Sequence, residues 1–214
     1  MALPLERTGH RLQRKYRRAS MVAPDIFVEN VRLCRETLRN LPDGAVVECG
    51  TWRGGMSAAL IELAGKRDCY FFDSFQGLPA AEPLDGEYAI AWQQSSDNAH
   101  NCAASRAEFE ATIAKANGAS AVHVFEGLFE HTFPHVAAFP IAVLRLDADW
   151  YSSTMTCLEK FWDSVLPGGI IVIDDYGVWE GCTKAVHDFL SKRKAPEHIQ
   201  QGRAAGTVYI RKMA

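Results

Sequence analysis

Two apolar runs in the second half of the chain end abruptly in acidic residues. Residues 140–144 read PIAVL and residues 170–173 read IIVI; Pro begins the first run, and Gly-Gly precedes the second. Runs of this length and β-branched content predict strands that are buried on both faces of a parallel sheet. The carboxylates that follow the two runs are Asp147, Asp149, Asp174 and Asp175.

Shorter apolar runs predict further strands at residues 45–49, 69–72 and 121–125. Amphipathic stripes between the runs predict helices. Residues 197–201 and 207–210, separated by glycines, predict a closing hairpin. Because strands alternate with helices, we expect an α/β fold with an open, mostly parallel, doubly wound sheet and helices on both faces.

Two helix predictions can be checked closely. An apolar stripe at i, i+4, i+7 and i+11 from Phe27 to Leu38 predicts a helix that begins near Pro24 and covers an edge of the sheet. Ser152 or Ser153 is expected to cap the helix that follows the fourth strand.

Two segments lack this patterning. Residues 1–24 contain six Arg or Lys residues, which predict a solvated basic arm or a frayed helix; a part in dimer packing, or in closing over an acidic substrate, is the alternative. Residues 74–104 form an irregular stretch that is long for a compact domain, and its aromatic residues favour a lid. We expect residues 25–214 to form a single domain.

Composition narrows the class of protein. The chain has 214 residues and a formal net charge of −3, which argues against general nucleic-acid binding. We find neither an apolar run long enough to cross a membrane nor a secretion signal, so no membrane partner is expected. The six cysteines are scattered without a Cys-x-x-Cys pair, which favours a reducing, cytoplasmic location.

The acidic residues predict a metal site. In parallel sheets, ligands collect at the carboxyl ends of strands, and Asp147 and Asp149 are two residues apart, so they point to the same side of an extended backbone. Carboxylates gathered there repel one another unless a cation or shared protons relieve them. Oxygen-only ligation indicates Mg²⁺ or a similar hard ion, and histidines are not clustered with the acids, which argues against zinc.

A glycine-rich turn follows the first strand. Its spacing, Gly50-x-x-x-Gly54-Gly, differs from the dinucleotide pattern, and it lacks the lysine of a phosphate-binding loop. Asp73, at the end of the second strand, is placed to accept the hydroxyls of a ribose, although a turn or helix-cap role is the alternative. Glu48 at the end of the first strand contacts the same ligand or, alternatively, forms a salt bridge with Arg53.

Four motifs in order give the chain a resemblance to the macrocin O-methyltransferase family. They occupy residues 46–55 (VVECGTWRGG), 72–79 (FDSFQGLP), 144–154 (LRLDADWYSST) and 167–182 (PGGIIVIDDYGVWEGC). The resemblance extends from about residue 31 to residue 212. It implies a Rossmann-like class I methyltransferase with a seven-stranded sheet. It also implies dependence on S-adenosylmethionine and Mg²⁺, and methylation of hydroxyls on sugars or glycosylated antibiotic scaffolds.

The resemblance also implies a role for individual residues. It makes Asp149 the general base, and it makes Asp147, Asp174 and Asp175 the metal ligands. The positions it implies for contact with S-adenosylmethionine are Glu48, Gly50, Trp52, Arg53 and Gly54 at the methionine end, Asp73 and Ser74 at the ribose, Gly127, Leu128 and Phe129 near the adenine, and Asp147 beside the metal.

Other functions fit the same residues. A metal-dependent phosphoester hydrolase also uses carboxylate clusters, a phenolic or catechol hydroxyl could replace the sugar hydroxyl, and a non-catalytic binding module could keep the fold. For the methyltransferase, the expected partner is a small-molecule acceptor, and a homodimer is possible. Six aromatic residues are candidates for an acceptor-binding wall: Tyr88, Trp92, Trp150, Tyr151, Tyr176 and Trp179.

Overall fold

A seven-stranded sheet forms the centre of the molecule. The computed structural model describes residues 4–95, 98 and 100–213, with side chains from residue 7 onwards. The strand order is β3-β2-β1-β4-β5-β7-β6. Strands β1 to β5 are parallel, whereas β7 runs antiparallel to β5 and to β6. The strands are β1 Ala45–Cys49, β2 Cys69–Asp73, β3 Val122–Glu126, β4 Ile141–Leu146, β5 Val165–Ile173, β6 Ile199–Gln201 and β7 Val208–Arg211.

Helices cover both faces of the sheet, as predicted. Helices α1, α2, α3 and α5 contribute to the apolar core on one face, and α7 and α8 contribute to the core on the other. The helices of the described residues are α1 Pro4–Tyr16, α2 Pro24–Asn40, α3 Gly55–Ala64, α4 Glu87–Gln94, α5 Arg106–Ile113, α6 Phe129–Thr132, α7 Tyr151–Phe161 and α8 Glu180–Arg193. The α/β, doubly wound prediction is therefore confirmed.

Successive strand residues enter opposite cores. In β4, Val143 packs on one face and Leu144 on the other, and Ile170 and Ile171 of β5 do the same. This period of two, with every residue of β4 buried, explains why the sequence shows a continuous apolar run. The predicted hairpin is also confirmed, because β6 pairs with β7.

The N-terminal segment differs from the predicted solvated arm. Helix α1 packs against α2 and α3, and its Leu12 and Tyr16 are buried. The basic residues occupy its exposed side, which hid a narrow apolar stripe from the sequence pattern. Helix α2 also differs from prediction, because it lies against β4 and β5 in the middle of the sheet and not against an edge.

The predicted cap of α7 is wrong. Ser152 and Ser153 lie inside its first turn. The N-cap residue is Trp150, and its side chain makes no capping hydrogen bond. Instead, the buried carboxylate of Asp85 accepts a hydrogen bond from the Tyr151 backbone N–H at 2.6 Å. A distant carboxylate thus supplies the acceptor that a local serine was expected to provide.

The segment predicted as a lid contains regular structure where it is described. A short 3₁₀ turn, Pro83–Asp85, and helix α4 lie within residues 74–104; residues 96, 97 and 99 of the predicted lid lie outside the described residues. The Trp150 indole N–H donates to the Pro79 carbonyl at 2.9 Å. The first part of the segment is therefore docked on the start of α7.

None of the described helices combines the length and apolar character needed to cross a bilayer.

Candidate active site

The carboxyl ends of the central strands meet at the point where strand order reverses, between β1 and β4. The register aligns Cys49 of β1 with Leu146 of β4, and Leu146 with Ile173 of β5. The next residue along each of these strands is Gly50, Asp147 or Asp174. The sheet therefore brings the glycine turn and the acidic motifs to one edge, as the sequence predicted.

Gly50 allows the first strand to approach the fourth. Its φ is +83°, and a Cβ at this position would lie 1.8 Å from the Asp147 carbonyl oxygen. A side chain would therefore collide with backbone, so only glycine fits here. This contact sets the turn after β1 directly beside Asp147.

Three carboxylates converge at this edge. Ligand atoms of Asp147, Asp149 and Asp175 all lie within 4.8 Å of one another. Asp149 adopts a left-handed backbone conformation with φ +54°, and its N–H donates to Asp175 Oδ2 at 2.9 Å. Asp147 and Asp149 thus meet through a turn after the strand, and not through the extended spacing from which their proximity was predicted.

The pKa values of the three carboxyls are raised. Burial, with the charge of Asp147 as the next cause, raises the pKa of Asp149 to about 8, although the Trp179 indole opposes the shift by donating to Asp149 Oδ1 at 3.0 Å. Burial also raises the pKa of Asp147 to about 6 against the opposing charge of Arg145, and it raises that of Asp175 well above its ordinary value. Such a group favours either bound protons or a bound cation.

Asp174 stands apart from the three converging carboxylates. Its Oδ1 lies 2.9 Å from the Arg145 guanidinium and accepts from the Asn30 amide at 3.2 Å. The carboxylate group that the structure brings together therefore contains Asp149 in the place predicted for Asp174. Asp147 and Asp175 belong to both the predicted and the observed sets.

Glu48 is engaged in a buried network under the turn. It pairs with Arg145 at 2.9 Å and accepts a short hydrogen bond from Ser57. Burial raises the pKa of Glu48 to about 7 despite these partners. The alternative salt bridge to Arg53 is wrong, because Arg53 pairs with Glu108 at 3.1 Å.

A cavity of about 320 Å³ opens beside the acids. The turns after the first four strands contribute to its walls, together with the start of α7 and part of the segment after β2. The predicted cofactor-binding residues that line it are Gly50, Trp52, Asp73, Ser74, Gly127, Leu128, Phe129 and Asp147.

Three predicted cofactor-binding residues do not line this cavity. Glu48 lines only a second, neighbouring cavity, and neither Arg53 nor Gly54 lines either of the two. Gly54 has φ +80° and precedes α3, where an added Cβ would lie 2.8 Å from the Phe109 ring. Its glycine is therefore explained by turn geometry and packing.

Asp73 organises the turn from beneath. Its Oδ2 accepts from the backbone N–H groups of Thr51 and Trp52 at 2.7 and 2.9 Å, and its Oδ1 accepts from the Phe75 N–H at 2.7 Å. Asp73 therefore has the turn role that was the alternative prediction. The same carboxylate also lines the cavity.

A second cavity, of about 250 Å³, lies on the other side of the acids. Residues 19–23, all apolar except Ser20, and Val178 form one wall, and the opposite wall is acidic. The residues that line both cavities are Met21, Thr51, Trp52, Asp147 and Asp149. The carboxylates therefore stand where two ligands could meet.

The six candidate wall aromatics separate into two groups. Trp150 and Trp179 are buried with ring centroids 5.1 Å apart, Trp92 packs on Trp179 at the same separation, and the exposed Tyr88 packs on Trp179 at 5.5 Å. Tyr151 and Tyr176 instead bond to Asp188 and His187 of α8.

Sequence reasoning missed several residues at this edge. Arg145, Asn30 and Met21 were not singled out, nor was the contribution of Ser152, Ser153 and Thr156 to the larger cavity. An arginine inside an otherwise apolar strand, two residues before an aspartate, was the available signal for Arg145. Asn30 and Met21 had none, because their roles depend on how the N-terminal segment packs.

Comparison with known proteins gives a consistent result. The profile described as Macrocin-O-methyltransferase (TylF) matches residues 19–212. The 8-demethyl-8-(2,3-dimethoxy-alpha-L-rhamnosyl)-tetracenomycin-C 4'-O-methyltransferase of Streptomyces olivaceus is 32% identical over 186 residues, or 81% of this chain and 69% of that protein. The Mycinamicin III 3''-O-methyltransferase of Micromonospora griseorubida is 30% identical over 198 residues, or 87% of this chain and 76% of that protein.

A solved structure extends the likeness to three dimensions. The O-methyltransferase NovP is 26% identical, aligns with a TM-score of 0.77, and covers 92% of this chain and 83% of its own. The fold is thus that of a class I methyltransferase. A match over nearly the whole sequence, together with this fold, places the chain in the macrocin O-methyltransferase family, and the protein is an O-methyltransferase.

Proposed function

We propose that the enzyme transfers a methyl group from S-adenosylmethionine to a hydroxyl of a sugar or glycosylated natural product, with the help of Mg²⁺. The observation that carries this proposal is the meeting of two cavities at Asp147 and Asp149. A methyl transfer needs a donor and an acceptor held close and aligned. A group of carboxylates between two cavities suits that requirement.

The larger cavity suits the methyl donor. Asp73 stands at the end of β2, the position from which an acidic residue accepts ribose hydroxyls in nucleoside-binding sheets. The turn after β3 would border the adenine, and the turn at Gly50 would border the methionine portion. We assign the second cavity to the acceptor, whose less polar part would rest against residues 19–23.

The three converging carboxylates suit a hard divalent ion. Asp147, Asp149 and Asp175 offer only oxygen atoms within 4.8 Å of one another, and hard cations of the Mg²⁺ type take such ligands. The raised pKa values of these carboxyls support the same assignment, because a bound cation would relieve their mutual repulsion. We propose that Asp147 and Asp175 bind the ion. We propose that Asp149, which belongs to the same group of carboxylates, acts as the general base.

The chain's own residues supply the proton chemistry. When bound, the ion would orient neighbouring acceptor oxygens and lower the pKa of the reacting hydroxyl. Asp149 would take the hydroxyl proton while Trp179 holds one of its oxygens. The Asp175 carboxylate holds the Asp149 backbone in place by accepting a hydrogen bond from its N–H. Trp150, the buried N-cap residue of α7, donates its indole N–H to the Pro79 carbonyl.

The proposal is tested by binding and by product mass. Calorimetry with S-adenosylhomocysteine should show saturable binding that Asp73→Asn weakens. Incubation with S-adenosylmethionine and candidate glycosides should yield products heavier by one methyl-for-hydrogen replacement, and EDTA should suppress their formation. Methylation that is indifferent to EDTA would remove Mg²⁺ from the proposal, whereas product formed only from free phenols would change the acceptor.

The hydrolase and binding-module alternatives are set aside, because the chain belongs to a family of O-methyltransferases.

A further inference from the structure

One buried arginine contacts carboxylates from three neighbouring strands. Arg145 Nη1 lies 2.9 Å from Glu48 Oε1 and 2.9 Å from Asp147 Oδ2, and its Nη2 lies 2.9 Å from Asp174 Oδ1. Its side chain is 1% exposed. Because β1, β4 and β5 are adjacent, a single guanidinium reaches Glu48 in β1, Asp147 after β4 and Asp174 after β5.

The charges around this arginine are unbalanced. Among the described residues that line the second cavity, Arg145 is the one Lys or Arg. Removing carboxylates from water costs several kcal/mol each unless a cation compensates them, so one guanidinium offsets only part of the local charge. The carboxylates that share the cavity wall with it are Glu48, Asp147, Asp149, Asp174 and Asp175.

The bonding of the guanidinium is incomplete. Arg145 Nε and Nη2 have no hydrogen-bond partner with acceptable geometry among the described residues, although Nη2 is close enough to Asp174 for an ion pair. A fork-like, two-bond pair with one carboxylate would have used these donors better. Arg145 thus makes one contact with each of three carboxylates, as expected of a cation that compensates several acids at once.

Asp174 connects the arginine to a second unsatisfied group. Its Oδ1 also accepts from the amide of Asn30, a residue that is 1% exposed. The Asn30 Oδ1 is buried and has no hydrogen-bond partner among the described residues. Asp174 is therefore held on the arginine side, while Asp147 faces both Arg145 and the other two acids.

We propose that Arg145 is a positioning residue that acts as the permanent counter-cation of this edge and shares its carboxylates with the divalent ion. This inference rests on the metal dependence proposed above. Arg145 holds Asp147 and Asp174 in place before the ion binds, and afterwards both cations compensate the same acids. Without the arginine, the folded protein would depend on the divalent ion for a larger part of its stability.

Thermal unfolding in EDTA and in excess Mg²⁺ tests this inference. Arg145→Gln should lower the Tm by roughly 10 °C in EDTA, because breaking a buried ion network leaves uncompensated charge. Saturating Mg²⁺ should restore about half of that loss, since a ligand that binds the folded state stabilises it. The wild-type protein should gain less from Mg²⁺, and Arg145→Lys, which keeps the charge, should fall between the two.

Arg32→Gln is the matched control. Arg32 pairs with Glu29 and Glu36 at 2.7 Å each, and its side chain is 11% exposed, but it lines neither cavity. This variant should also lose stability, yet its gain from Mg²⁺ should equal that of the wild type. Calorimetric titration of each protein with Mg²⁺ alone provides a second readout that does not depend on activity.

The possible outcomes separate the two proposals. Equal gains from Mg²⁺ in Arg145→Gln and Arg32→Gln would overturn the counter-cation role and leave Arg145 as a packing residue. An absence of both a Tm gain and a titration signal in the wild type would instead overturn the proposed metal dependence. If Arg145→Gln does not fold in EDTA, Arg145→Lys decides by the same criterion.

Discussion

Two clusters of charged residues in this enzyme are built in opposite ways. At the packing of α1 on α3, a single carboxylate, Glu62, receives Lys15 at 2.6 Å, Arg11 at 2.9 Å and the Tyr16 hydroxyl. At the edge of the sheet, five carboxylates line the second cavity together with one guanidinium, which contacts three of them. The first cluster has more donors than acids, and the second has more acids than donors.

The pKa shifts follow this difference. Burial alone would raise the pKa of Glu62, but hydrogen bonds from Lys15, Tyr16 and Arg11 outweigh it and lower the value to about 2. Among the acids at the sheet edge, the pKa values of Asp147 and Asp149 rise to about 6 and about 8. The charge of Glu62 is thus compensated within the fold, whereas the charges of the acids at the sheet edge are compensated only in part.

The largest effect should come from Asp149→Asn. Loss of a positioned base lowers turnover by roughly 10²–10⁴-fold, and binding of S-adenosylhomocysteine should change little. The change is measured as kcat on an accepted glycoside. Asp163→Asn, an exposed carboxylate in the turn after α7, is the control. Near-normal turnover by Asp149→Asn would contradict its assignment as the base.

The next effect distinguishes Asp175 from Asp174. Asp175→Asn should weaken Mg²⁺ binding by more than roughly 100-fold, whereas Asp174→Asn should cost roughly 10–100-fold, the range for a supporting residue outside the ligand set. Calorimetric titration with Mg²⁺ measures both. Equal losses would favour the ligand set implied by the family resemblance, in which Asp174 binds the ion directly.

The two clusters should respond to pH with opposite signs. The folded protein binds the proton of Asp149 more tightly than the unfolded chain does, so its contribution to stability is lost as pH rises from 3.8 through about 8. Thermal unfolding in EDTA should therefore show Tm falling by a few degrees over the upper part of this range. Mg²⁺ should remove the decline, and persistence of the decline in saturating Mg²⁺ would contradict the metal assignment.

The smallest effect concerns Glu62→Gln. The Glu62 pKa is lower in the folded protein, so its contribution is present above 4.5 and lost as pH falls towards about 2. Urea unfolding should show a loss of roughly 1–2 kcal/mol near neutral pH, independent of Mg²⁺. Glu159→Gln, from an exposed pair, should change stability much less. A Glu62→Gln loss that Mg²⁺ repairs would mean that the two clusters are not independent.

Local pattern was enough to predict the sheet and its acidic edge. The β-branched runs of β4 and β5 are short-range signals, and parallel register then aligns the residues after them without further information. For the same reason Gly50, Asp73 and Asp147 were predicted at one edge, and they line one cavity.

The detailed partners could not be predicted, because they depend on contacts between distant parts of the chain. Asp174 meets Asn30 across 144 residues, and Asp149 turns towards Asp175 through a left-handed conformation that is uncommon outside glycine. The buried side of α1 was missed for a related reason: a helix whose buried apolar residues are surrounded by basic residues looks polar in sequence.

The hydrogen bond from the Tyr151 backbone N–H to Asp85 restricts the route by which ligands can enter and leave the enzyme. The segment over the larger cavity is held at the Trp150 indole and again at the first backbone amide of α7. Swinging it open would uncap that helix and disturb the very turn that carries Asp149. We therefore expect bulky acceptors to arrive and methylated products to depart past Met21 and Val178, whose exposed side chains line the second cavity.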